Sequence, residues 1–126
     1  MKVWVGSRNL RSIIQVYDAE SAAPVPGAII RMYQEGKDTS SCAGTDARGQ
    51  YEAVEEVTST GKEGTFVNTM NVHVPDRLIW VTATGYHWSG LLNMADHRGN
   101  VRHFERESEL LIRIPLTKKE PSHPEP

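Results

Sequence analysis

The sequence predicts an all-β domain, a mainly antiparallel sandwich of seven to nine short strands. Three observations carry that prediction. Apolar side chains recur at every second residue over brief stretches. Gly, Pro, Asn and Asp interrupt those stretches at near-regular intervals. No long segment shows the helical apolar period that βαβ units would need.

Along the chain, Val3–Val5 is apolar and is followed by Gly6-Ser7, so it reads as an edge strand or extended arm. Arg11–Tyr17 is the first strong strand, with Ile14 and Val16 on one side and Ile13, Gln15 and Tyr17 on the other. Two prolines and a glycine within Asp18–Gly27 make a loop. Ala28–Tyr33 follows as a strand with Ile30 and Met32 on one face. Gln34–Asp38 reads as a turn, and Thr39–Thr45 as a strand of small residues holding Cys42.

Asp46-Ala47-Arg48-Gly49 has tight-turn chemistry, because an Asp side chain can bond the backbone two residues on and a Gly can close the turn. Gln50–Val57 then alternates Tyr51, Ala53 and Glu55 with Glu52, Val54 and Glu56. Thr58–Gly64 reads as a loop, Thr65–Val74 as a strand, and Pro75-Asp76 as a turn. Arg77–Thr84 is the most β-like stretch. His87–Glu107 is irregular, and Glu109–Leu116 closes the domain with Leu110, Ile112 and Ile114 on one face. The organisation expected is an N-terminal arm or edge strand over 1–10, the sandwich over 11–116, and a disordered tail over 117–126.

Composition narrows the function classes. The 126 residues suit one core, and 38% hydrophobic content suits a thin one. A net charge of −2 leaves no basic footprint for nucleic acid. No apolar run approaches the ~20 residues of a membrane span, and Met1–Leu10 lacks the apolar core of a secretory leader, which leaves the compartment open. The one cysteine, Cys42, rules out an internal disulfide framework and has no neighbouring base to activate it.

Four segments together resemble the carboxypeptidase regulatory-like domain, within the wider transthyretin-like group. They are Ile13–Asp18, Pro24–Ile30, Thr45–Tyr51 and Leu78–Tyr86. The resemblance covers roughly 11–116. The stretches between Tyr51 and Leu78 and between Tyr86 and Glu109 are longer than the family's minimal form. It implies an immunoglobulin-like, prealbumin-type sandwich without intrinsic catalysis, acting as a binding or structural module for carbohydrate or protein. The alternative within the same group is a hydrolase of hydroxyisourate or a related ureide, but the chain lacks the C-terminal Tyr-Arg-Gly-Ser signature of that branch.

The candidate binding residues are Tyr86, His87 and Trp88, where two aromatics flank a histidine just before Gly90. Trp80, inside a strong strand, reads as core. His97 and His103 are the candidate metal pair, because Gly99 lets the chain turn between them, although zinc needs three or four converging ligands. Neither a catalytic residue nor a cofactor is expected. A sandwich also has edge strands with unpaired backbone groups, so a homodimer through an edge is a further expectation.

Overall fold

The computed structural model describes residues 2–34, 41–63 and 68–120. The nine strands among them are β1 (Lys2–Asp18), β2 (Ile29–Tyr33), β3 (Ser41–Gly44), β4 (Gln50–Glu63), β5 (Asn68–Val72), β6 (Leu78–Thr82), β7 (Leu92–Asn93), β8 (Val101–His103) and β9 (Glu107–Leu116). A 3-10 segment, Met94–Asn100, separates β7 from β8. The strands form two sheets, ordered β5-β4-β1-β9-β8 and β3-β2-β6-β7. The turn expected at Gln34–Asp38, the Phe66 end of the Thr65–Val74 strand and the end of the proline-rich tail lie wholly or partly outside the described residues.

Alternation decides what fills the space between the sheets. Leu10, Ile14 and Val16 of β1 are buried, as are Leu110, Ile112, Ile114 and Leu116 of β9, and they meet Ile30, Met32, Ile79 and Val81 of the opposite sheet. Strand register keeps these sets together: Ile14 lies beside Ile112 and Val16 beside Ile114. Burial of these side chains is the main favourable term holding the layers together. Trp80, expected in the core, lies beside Arg31 on β2 and is only half-buried, because it alternates with the inward Ile79 and Val81.

The strand pairing is mainly antiparallel, and β1–β9 is the one parallel pairing among the described strands. The last strand comes back beside the first in the same direction, and a one-residue slip of that pairing would turn its apolar residues out of the core. β1 also runs without a break through Gly6 and Ser7, which pair with Ser59 and Thr58 of β4. Neither residue takes a positive φ, so nothing turns the chain there. β4 in turn runs to Glu63, through most of the loop expected over Thr58–Gly64. Gly61 sits opposite Trp4, and the indole occupies the space a side chain on Gly61 would need. This cross-strand cover keeps a glycine inside a strand.

The Asp46 turn forms as its chemistry predicts. The Asp46 carboxylate accepts the backbone N–H of Arg48 at 2.8 Å and of Gln50 at 3.0 Å, which holds it below the usual carboxylate range, the Gln50 bond contributing most. Ahead of β2, the Thr45 hydroxyl donates to the Val25 carbonyl at 2.7 Å and accepts the Ala28 N–H at 2.9 Å, tying the proline loop to the core. Among the described residues, no helix is long and apolar enough to cross a membrane.

Candidate functional site

On the inner face of the first sheet, Ser12 of β1 lies directly beside Ala53 of β4. Two small side chains side by side leave a depression in a surface otherwise covered by larger ones. Ile14 beside Tyr51 bounds it on one side, and Leu10 beside Glu55 on the other. The opposite sheet covers it only partly, with Met32 near the end of β2, Gln34 just after it and Ser41 at the start of β3. Arg77 and Met94 complete the wall of a cavity of ≈ 320 Å³.

Arg77 and Met94 are positioned together. The Met94 N–H donates to the Arg77 carbonyl at 2.8 Å. Asn93, whose side chain accepts the Ala95 N–H at 3.0 Å, fixes where the 3-10 segment begins. The Arg77 guanidinium grips Glu55 with two bonds of 3.0 Å, and also donates to the Gln34 side-chain oxygen at 3.3 Å and the Met94 sulfur at 3.8 Å. A bidentate fork of this kind fixes both side chains more firmly than a single-contact ion pair would. The cavity therefore has an apolar side formed by Ile14, Met32 and Met94 and a rigid polar side formed by Glu55 and Arg77. Between them lies Ser12, 5% exposed, whose Oγ has no hydrogen-bond partner among the described residues.

Tyr86, His87 and Trp88 do come together, along a shallower cleft of ≈ 590 Å³ with Gly27, Ile29 and Lys119. The Tyr86 hydroxyl donates to the buried Asp18 carboxylate at 2.8 Å, so it ties β1 to the loop after β6. The Asp18 carboxylate also accepts the N–H groups of Glu20 and Ser21 at 2.9 Å, with the Lys118 ammonium 3.6 Å away. The Ser21 N–H, then the Tyr86 hydroxyl, hold Asp18 well below the usual carboxylate range, and the bond to Asp18 pushes the Tyr86 phenol up. His87 is exposed and anchored through its backbone, its N–H donating to the Thr117 carbonyl at 2.9 Å. Trp88 is 57% exposed.

His97 and His103 line different clefts, the first with Arg102 and Arg113, the second with Asn71 and Arg98. His103 Nδ1 lies 2.7 Å from the Ser108 hydroxyl, which also accepts from Arg8 Nε at 2.9 Å. Among the described residues, no group of three or more His, Cys, Asp or Glu could hold a metal ion. Cys42 is exposed on β3.

The cavity residues escaped the sequence reading, although part of the signal was there. Tyr51, Ala53 and Glu55 were placed on one face of one strand. Ser12 follows the same even-numbered alternation as Leu10, Ile14 and Val16, and is the polar exception among them.

No family model matches the chain, and no curated protein matches it in sequence. Solved structures do match in fold. 3-Chlorocatechol 1,2-dioxygenase from Rhodococcus opacus 1CP aligns with a TM-score of 0.55 at 11% identity, over 89% of this chain and 61% of that one. Catechol 1,2-dioxygenase from Pseudomonas arvilla C-1 gives 0.55 at 15%, over 91% and 54%. The enzyme from Acinetobacter radioresistens gives 0.59 at 16%, over 93% and 54%. The chain thus spans a little over half the length of these neighbours, and at such identities the likeness is one of fold.

These findings overturn the expectation of a non-catalytic binding or structural module. The structures that share this sandwich are named as enzymes, and they are dioxygenases, not ureide hydrolases. The physical reason the sequence misled is that a sandwich scaffold does not dictate chemistry, which resides in the side chains of a site.

Proposed function

We propose that this chain is the substrate-holding sandwich of an enzyme acting on a small aromatic diol of the catechol kind, with the substrate entering the cavity beside Ser12 and Ala53. The observation that carries the reading is the cavity itself. Its ≈ 320 Å³ falls at the lower end of the roughly 300–1,000 Å³ typical of small-molecule sites. Tyr51 and Ala53, only partly buried, offer apolar surface to a ring, and the Glu55–Arg77 pair offers a fixed polar edge to ring oxygens. The substrate class comes from the fold neighbours, which are catechol and 3-chlorocatechol 1,2-dioxygenases.

The finer fold assignment is part of the same proposal. We read the sandwich as immunoglobulin-like and prealbumin-type, with the carboxypeptidase regulatory-like resemblance describing its strand order. The two facing sheets, with β1 and β9 packed against β2 and β6, and the Thr45-anchored proline loop support this reading.

Titration with catechol, followed by amide chemical shifts, tests the site. Shifts should centre on Ser12, Tyr51, Ala53 and Arg77, and Ala53→Leu, which fills the depression, should weaken binding by roughly tenfold or more. Shifts confined to the Tyr86–Trp88 cleft would refute it.

A further inference from the structure

We infer that Ser12 is a specificity-determining residue of this cavity, selecting ligands that present a neutral oxygen to its inner end; the inference rests on the site proposed above. Among the described residues, Ser12 Oγ is the buried side-chain polar atom left without a partner. Comparable hydroxyls in the same fold are satisfied: Thr45 bonds Val25 and Ala28, and Ser108 bonds Arg8 and His103. A buried hydroxyl with no partner is destabilising relative to alanine, since its hydrogen bond to water has been lost and nothing replaces it. A polar ligand atom reaching it would recover that loss.

The surroundings decide what kind of atom this can be. Ser12 lies between Ala53 and Leu110 on the neighbouring strands, with Leu10 and Ile14 two residues away on its own inward face. A charged group there would be desolvated without a counter-ion, because the Arg77 guanidinium is already engaged by Glu55, Gln34 and Met94. The favoured ligand is therefore a small ring with a hydroxyl or carbonyl oxygen leading, in preference to a hydrocarbon or a carboxylate. Met32 and Met94, unbranched and adaptable, border the same space and can shift to admit it.

The experiment compares phenol, toluene and benzoate by amide-shift titration against the wild-type chain, Ser12→Ala and Ser12→Cys. In the wild type, phenol should bind with the lowest Kd. Ser12→Ala should cut the phenol-over-toluene preference by roughly three- to tenfold, the range of one hydrogen bond, without weakening toluene. The thermal midpoint of Ser12→Ala should hold or rise, as expected when an unpartnered hydroxyl is removed. Ser12→Cys, which keeps a weak donor, should fall between the two and serves where the alanine variant folds poorly. An unchanged preference in both variants, with both rings still bound, would overturn the role of Ser12 and leave the cavity reading intact. If none of the three compounds moves the amides of Ser12, Tyr51 or Ala53, the cavity reading falls and this inference falls with it.

Discussion

Replacing Gly49 with alanine tests whether the turn before β4 is set by backbone packing as well as by backbone conformation. Gly49 has φ 71°, and a Cβ added there would lie 2.5 Å from the Val16 carbonyl oxygen, 2.9 Å from the Val25 nitrogen and 3.1 Å from the Pro24 Cβ. Two of those neighbours are backbone atoms of the core, so they cannot swing aside. The Gly49 carbonyl also accepts the Val16 N–H at 2.8 Å, so moving the turn away would break a bond to β1. The left-handed conformation costs an alanine about 1–2 kcal/mol, and overpacking adds about 1–3 kcal/mol.

The sum is roughly 2–5 kcal/mol, a fall in Tm of roughly 8–20 °C for a domain of this size. Gly85→Ala supplies the control, since Gly85 has φ 86° but nothing within 4 Å of an added Cβ. That variant should lose only the conformational part, about 1–2 kcal/mol. Urea unfolding at constant slope would measure both losses. A Gly49→Ala loss no greater than that of Gly85→Ala would refute the packing argument.

Two further outcomes follow from the hydrogen bonds and exposure around the Tyr86 cleft. Because Asp18 is held below its ordinary range, its stabilising contribution is complete above the unfolded carboxylate pKa and is lost as pH falls through that range toward the folded value. Asp18→Asn should therefore be less stable than wild type near neutrality, and the gap should narrow on acidification, read as Tm against pH; a gap constant with pH would show that the carboxylate charge is not what matters. Trp88→Ala should leave thermal stability within about 0.5 kcal/mol of wild type, as for other exposed positions without partners, and a larger loss by urea unfolding would make Trp88 a packing residue.

How much could be read in advance varied from element to element for physical reasons. Ile14 and Val16, Ile30 and Met32, and Leu110, Ile112 and Ile114 were each grouped on one face from alternation alone, and all are buried. A strand buried on one face carries its orientation in its own residues, whatever it pairs with. The continuous β1 and the extended β4 were missed because Gly6, Ser7 and Gly61 are turn-prone taken singly. They are strand residues here because each arm supplies what the other lacks, with Trp4 covering Gly61 across the ladder. That information belongs to a pair of segments more than fifty residues apart, and no local window contains it.

The cavity has the same origin in greater degree. Ser12 could be recognised as polar on an apolar face, and Ala53 as small on its own strand. That they lie side by side is a statement of register between β1 and β4. That the opposite sheet leaves them partly uncovered depends on where Met32, Arg77 and Met94 arrive from three separate stretches of chain. The Tyr86–Trp88 cluster drew attention because its aromatics are adjacent in sequence, yet its phenol is engaged by Asp18 within the fold. Adjacency in sequence thus identified a structural tie, whereas the unsatisfied group that a ligand could complete arose from strand pairing. A buried polar atom becomes informative about function only once its neighbours in space are known, because only then can a lost hydrogen bond be told from a satisfied one.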